Sequence, residues 1–416
     1  MNCWTKRVLP FLLSAALIMQ AIVIFPAVEA EEMTSVEESS SEESEETPIL
    51  EESPEESKES VKAPKPSEEQ PSTVVYLDGK NGSDTKSGKS KEEAVQTFRK
   101  ALELMEEDGK IVVSSFQEDH DIVFNKKGTL ELANDITLQG AKNHGIKLSN
   151  GAKLKAGSHT LNMSGFALAI DVAADSTIQD GHYVLDNNGV AFYLHDNAQI
   201  AGTGRQNLTI SALKSTANGF HFSSDSWFRN CTVTVQARSE TGENYAGLNM
   251  KNASLTTRGI WYYFDPSKDP KSGILKGGIH LDQSDFYVYK AKGSKNYKNA
   301  FALLGPSYLK NGSTVTADGS RITVSAPFTV EDSKVVIKNS NQGGLNVDYD
   351  GADVVFRNSI LETSGLKYIP SFGVGLRKGP CSLTFEGNSV VNTEAKDSRI
   401  DDGGTYLQDP GSYVVT

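Results

Sequence analysis

From about residue 145 onward, apolar and polar residues alternate with period two in short runs, and one phrase keeps returning: a small residue, then apolar, any, apolar. It begins at Gly145, Ala167, Ala191, Gly219, Gly247, Gly278, Ala300, Gly344 and Gly373, and once at a proline, Pro327. The first apolar positions of these ten copies are separated by 22, 24, 28, 28, 31, 22, 27, 17 and 29 residues. Further alternating runs lie between them, such as Leu208-Thr209-Ile210, Val233-Thr234-Val235 and Ile322-Thr323-Val324, bounded by Gly, Asn, Asp or Ser. Period-two alternation marks strands, and a repeat near 25 residues marks a solenoid. No helical stripe runs through the repeats, which excludes helical and leucine-rich arrays. The pattern predicts an all-β chain folded as a right-handed parallel β-helix, with each coil about 4.8 Å above the last and its inward residues in one buried column. An ordinary β-sandwich would also use many short strands; the recurring phrase favours the stack.

Ahead of the repeats the periodicity changes. Val74-Val75-Tyr76-Leu77 reads as a strand, and Ser90-Lys91-Glu92-Glu93 as a capping box that opens a helix. Ala94, Phe98, Ala101, Leu102 and Met105 then recur at helical spacing, and Gly109 supplies a stop before Ile111-Val112-Val113. A single amphipathic helix beside strands is expected to cap the open end of the stack. This divides the folded part into a cap, 73–113, and β-helix repeats, 114–416.

Charge concentrates before the cap. The net charge is −13. Residues 31–72 hold fifteen glutamates and three lysines, which is −12, and residues 1–30 contribute +1, so the remaining 344 residues carry −2. Such a body has no electrostatic footprint for nucleic acid. Residues 31–72, built of Glu, Ser and Pro, read as a disordered acidic linker. Residues 1–30 read as a signal peptide: Lys6 and Arg7, an apolar run to Val28, and a small-residue cleavage site ending at Ala30. Membrane contact is then expected only through that segment, and the mature protein is expected to be secreted or held at the cell surface.

The stretch Val75-Tyr76-Leu77-Asp78, Asn81-Gly82-Ser83-Asp84, Gly88 and Ala94-Val95-Gln96-Thr97-Phe98-Arg99-Lys100-Ala101 resembles the N-terminal cap of pectin-lyase-like β-helix proteins. It looks most like those of secreted or wall-attached proteins of Gram-positive bacteria. The closing phrase from Asp402-Gly403-Gly404 to Tyr413-Val414 is similar to one that recurs late in such proteins. The resemblance implies the fold. It leaves function open, because the family includes both polysaccharide-degrading enzymes and non-catalytic adhesins.

If the apolar residues of each phrase point inward, the residues between and after them point outward, and stacking turns them into columns. Aligned phrase by phrase, the middle rungs bring together Tyr193, His195, His221, Asn249, Lys251, His280 and Asp282 as a candidate binding face. These types suit proton abstraction next to a carboxylate, but solvated strands also carry polar residues outward. The family's enzyme signatures (Gly-His-Gly, paired Asn-x-Asp with Asp-Asp on one face, Arg-x-Lys) do not occur, so no catalytic residue is assigned. Asp348, Asp350 and Asp353 read as a turn rather than a calcium loop, and no Cys/His spacing fits zinc, so no cofactor or metal is expected. Trp261-Tyr262-Tyr263-Phe264 and Phe286-Tyr287-Val288-Tyr289 read as aromatics that pack loops. Cys231 and Cys381 fall about six coils apart, roughly 29 Å, too far for a disulfide. Asn-x-Ser/Thr tripeptides, Asn207, Asn230 and Asn252 among them, would be glycosylated only in a eukaryotic secretory route. The expectation is an exported, monomeric, non-catalytic surface or adhesion module for a polysaccharide or a host or cell-surface protein. The alternative is a lyase or glycoside hydrolase acting on uronic-acid polymers.

Overall fold

The computed structural model describes residues 73–415, apart from 218, 223–225, 246, 265–277, 291–300, 341–342, 348–351, 367–371, 377–381, 394–396 and 401–411. The expected signal peptide and linker lie outside the described residues, as do Asp348, Asp350, Cys381 and Asp402. What is described is a parallel β-solenoid. One sheet of thirteen strands runs the length of the stack, from Val74–Asp78 to Ser382–Glu386. A sheet of five parallel strands covers a second side, from Ile122–Phe124 to Gly219–Phe222. The third sheet begins at Ile136–Gln139.

Two long strands, Thr232–Tyr245 and Ser254–Phe264, change the plan. Their first halves continue the third sheet, with Val233 beside Leu255 and then Phe286. Their second halves open another row, in which Tyr262 pairs with Phe301, and Phe301 with Ile322. The five-stranded sheet therefore ends just where this row begins.

Period-two patterning works as anticipated. In the long sheet the inward residues Ile178, Ile200, Phe228, Met250, Leu281, Leu309, Val330 and Phe356 stand in one register column. All are nearly inaccessible to solvent. Phe192 stacks on Phe220 with centroids 5.3 Å apart in the short sheet. Each coil buries side chains only against its neighbours, so the core is a column whose stability accumulates coil by coil.

The helix is shorter than the sequence pattern predicts. It spans Phe98–Leu104, and its N-cap is Thr97, whose hydroxyl accepts from the Lys100 N–H. Ser90 Oγ does accept from the Glu93 N–H at 3.3 Å, but this closes a turn and starts no helix. The cause lies downstream. Val95 bridges to Leu77 as an extended residue, and Asp84 accepts from the Gln96 N–H, the Thr97 N–H and the Thr97 hydroxyl at 2.9, 2.8 and 2.7 Å. Helical geometry can begin only after these contacts. Ala101 and Met105 are buried in the common core.

One corner of the stack is a ladder that sequence reading passed over. Asn230, Asn252, Gln283, Asn311, Asp332 and Asn358 all have positive φ, between 45° and 57°, and each ends an outward-inward strand of the long sheet. Short polar side chains tolerate that conformation best. A small residue follows within two positions: Cys231, Ala253, Ser284, Ser313, Ser333 and Ser359, continued by Ser389. The backbone N–H of each residue from Ala253 to Ser359 donates to the serine hydroxyl one coil later, at 3.1 to 3.2 Å. These serines are buried. The Asn-x-Ser tripeptides at 252 and 311 are thus corner chemistry, and Cys231 fills the first place of the same column.

Candidate functional site

The short sheet carries a cluster of ionisable outward groups. Lys147, Asp171, Tyr193 and His221 occupy one register column on four consecutive strands. His195, just past the strand Val190–Leu194, turns back toward the coil beneath. Its Nε2 lies 2.8 Å from Asp171 Oδ1 and its Nδ1 lies 3.1 Å from Asp196 Oδ2. Lys147 Nζ stands 3.7 Å from the other Asp171 oxygen. The Tyr193 ring packs against both imidazoles, with centroids 4.7 Å from His195 and 4.7 Å from His221.

The electrostatics follow from that geometry. The hydrogen bond with Asp171 raises the His195 pKa above its ordinary value against the opposing effect of burial, and Asp196 adds to it. Burial alone would push the Asp171 carboxyl up, but hydrogen bonding and the charges of His195 and Lys147 hold it below the usual range. With a carboxylate at each nitrogen, His195 is satisfied as an imidazolium that donates both N–H groups. In that protonated state it keeps no lone pair with which to accept a proton from a substrate.

The seven residues gathered by sequence alignment divide into two groups. Tyr193, His195 and His221 share the short-sheet face. Asn249, Lys251, His280 and Asp282 lie on the long sheet, where Asn249 pairs with Trp227 and His280, and His280 with Tyr308. The recurring phrase caused the error: strands on every side begin with a small residue and two spaced apolar ones, so copies from different sheets align in sequence without stacking in space. A second correction concerns exposure. Asn249 and His280 are only 2% exposed, although alternation points them away from the inward column. Asn249 Nδ2 donates to the Ser226 carbonyl at 3.4 Å. The His280 ring nitrogens lie 3.0 Å from Asn249 Oδ1 and 3.0 Å from the Pro306 carbonyl. Burial pushes the His280 pKa down to about 4, so the ring is neutral at physiological pH. Asp282 is held by Asn311 Nδ2 at 2.7 Å and Lys310 at 3.7 Å.

Asp171 and Lys147 were missed as site residues. Phrase alignment set Ala169 beside Tyr193, whereas the structure sets Ile170 beside Phe192 and Asp171 beside Tyr193, with a register irregularity between Val190 and Phe192. The available signal was the inward pair Ile146 and Ile170, each followed directly by a charged residue.

The aromatic runs do meet. Tyr262 is fully buried and packs edge-on against Phe286 with centroids 5.4 Å apart, inside the core rather than under a loop. Arg258 lies over the Tyr289 ring at 4.9 Å. A cavity of 460 Å³ opens at the N-terminal end, between the helix and the first strand of the short sheet, with Phe98, Leu102, Phe116 and Val123 among its lining residues and Arg99, Glu118 and Asp121 at hand. Asp353 accepts from the Ser382 hydroxyl at 2.7 Å. Among the described residues no group of three or more His, Cys, Asp or Glu is placed to hold a metal ion, and no helix is long and apolar enough to cross a membrane.

No family model and no curated protein matches this chain. Among solved structures it is similar to the GH136 lacto-N-biosidase from Eubacterium ramulus, in its selenomethionine form, at 8% sequence identity and a TM-score of 0.32, over 74% of this chain and 68% of that one. At that identity and score the likeness bears on neither substrate nor site residues. The conclusion is architectural: the described residues form a parallel β-solenoid.

Proposed function

We propose that this chain is an exported, monomeric, non-catalytic β-solenoid module, displayed at or released from the surface of a Gram-positive cell. It binds a glycan or a surface protein through the Lys147–Asp171–Tyr193–His195–His221 face. One observation carries the reading: at several places along the stack, ionisable groups that alternation turns outward are paired with opposite charges. Asp171, His195 and Asp196 form one such set. Lys110 and Lys155 flank Glu131 at 2.7 and 3.8 Å, Lys334 meets Glu362 at 2.6 Å, and Arg357 meets Glu386. General acid–base chemistry needs a group with a proton or a lone pair aimed at substrate. His195 has both nitrogens committed to carboxylates, and Asp171 is held ionised, which suits a binding surface better than a proton-transfer site.

The discriminating experiment incubates the secreted chain with a panel of uronic-acid polymers and follows ultraviolet absorbance of unsaturated products and release of reducing ends. The module reading expects no turnover, together with saturable binding on a glycan array or a host-matrix panel that weakens on Tyr193→Ala. Clear turnover would overturn it in favour of a polysaccharide lyase or hydrolase.

A further inference from the structure

Two adjacent coils meet along the shortest ladder among the described strands. In the long sheet, Thr177–Gln179 and Gln199–Ala201 share two paired positions, Thr177 with Gln199 and Ile178 with Ile200. The corners leading into these strands are strained. Ala174 and Asp175 have φ of 49° and 61°, and Asp196 and Asn197, one coil later, 53° and 65°. Left-handed backbone is disfavoured for an L-residue, and Ala174 has no polar side chain to soften it. The corners stack through the Asp175 N–H on the Asp196 carbonyl at 3.0 Å, and the His195 N–H reaches the Val172 carbonyl at 3.0 Å. At this seam the His195 ring joins both coils, through Asp171 below and Asp196 in its own corner.

We propose that Asp171, His195 and Asp196 form a proton-dependent latch, which clamps this seam in acid and releases it as the pH rises and the imidazole loses a proton. The groups facing His195 are few. Asp171 reaches it from the coil below, backed by Lys147 on the other carboxylate oxygen at 3.7 Å. Asp196 comes from its own corner, and the Tyr193 ring from its own strand, with His221 of the coil above against the same ring. A protonated ring serves both carboxylates. A neutral ring keeps one N–H and turns a lone pair toward the second carboxylate. The Asp171 contact is the shorter, 2.8 Å against 3.1 Å, so the Asp196 contact is the one lost, and the strained corner it steadied loosens with it.

The sign follows from the raised value of His195 in the closed seam. Its contribution is complete below the ordinary histidine value of 6.5 and disappears as pH rises through the raised one. This inference concerns the same face as the function proposed above but does not require any ligand, so it can fail or succeed separately.

The test uses the full chain. Imidazole proton resonances give the midpoint for His195. Amide exchange, corrected for intrinsic rates, reports Asp175, His195 and Ala198 from pH 5.5 to 8.5. The latch expects a midpoint above 6.5 and protection at these amides falling by up to about tenfold per pH unit within the window. His195→Gln keeps one donor and one acceptor and should remove that slope. A midpoint at or below the ordinary value, pH-independent protection in the parent, or an unchanged slope in His195→Gln would each overturn the proposal. Should the variant not fold, the parent's titration and exchange decide alone.

Discussion

Replacing Ser359 by alanine tests whether the serine ladder is a structural element or an accident of composition. Ser359 is 1% exposed. Its hydroxyl accepts from the Ser333 N–H at 3.1 Å and faces the carbonyls of Arg357 and Val330 at 2.6 and 3.1 Å. Alanine fits the space, so no clash enters. The buried Ser333 N–H loses its acceptor, a penalty of about 1–3 kcal/mol, and one carbonyl loses its donor, about 0.5–1.5 kcal/mol more. The expected loss is therefore roughly 2–4 kcal/mol. At about 2.1 cal/mol/K per residue over ~340 folded residues, that lowers the melting temperature by about 3–6 °C if the body unfolds as one unit. Since coils touch only their neighbours, the loss should also be local. Scanning calorimetry reads the first quantity and amide exchange at Ser333 the second. Ser382→Ala, a partly exposed serine whose hydroxyl donates to Asp353 at 2.7 Å, is the control, with an expected change within about 0.5 kcal/mol. Equal melting of the two variants, or unchanged exchange at Ser333, would refute the argument.

Asn249→Asp should be destabilising at pH 7, on the order of 3 kcal/mol by denaturant titration, because it sets a buried charge against the Ser226 carbonyl; a silent substitution would mean the position is solvated after all. His280 should give the opposite pH dependence to His195. Burial lowers its folded pKa to about 4 from 6.5, so the unfolded chain takes up the proton first and stability falls as pH drops from 6.5 toward 4. Melts of His280→Gln across that range should lack this part of the slope, and parallel curves for parent and variant would contradict it. Burial drives the Cys231 thiol up to about 12, so its peptide should remain unalkylated by iodoacetamide at pH 8 in the folded chain; rapid labelling there would show that the corner opens.

What the sequence made legible was the stack, because inward residues of a solenoid need only be apolar at every second position and the chain obeys this from Ile146 to Phe356. What it concealed was which copies stack on which. The answer depends on where the chain turns, and the step from Gly219–Phe222 to Gly247–Lys251 passes from the short sheet to the long one without any change in the phrase. Asn249 and His280 consequently joined a column they do not occupy. The register at Ile170 was missed by two residues, a slip that preserves inside and outside while moving Asp171 out of the Tyr193 column. The corner ladder was visible as Asn, Gln or Asp followed by Ser, Ala or Cys, but these pairs look like ordinary turn composition until their spacing from coil to coil is known. The helix began late because Asp84 and Leu77 hold residues 95–97, and tertiary contacts of that kind leave no local mark.

The ladder between Thr177–Gln179 and Gln199–Ala201 has a mechanical consequence. Hydrogen bonds between coils of a solenoid lie along its axis, so a pull applied end to end loads every coil interface in series. Under tension the interfaces do not add, and the weakest one sets the force at which the stack parts. Within the long sheet, with two paired positions against five between Gly247–Lys251 and Gly278–Asp282, that ladder is the one expected to yield first. In a single-molecule pulling experiment the long sheet should therefore lose its pairing first between Ile178 and Ile200.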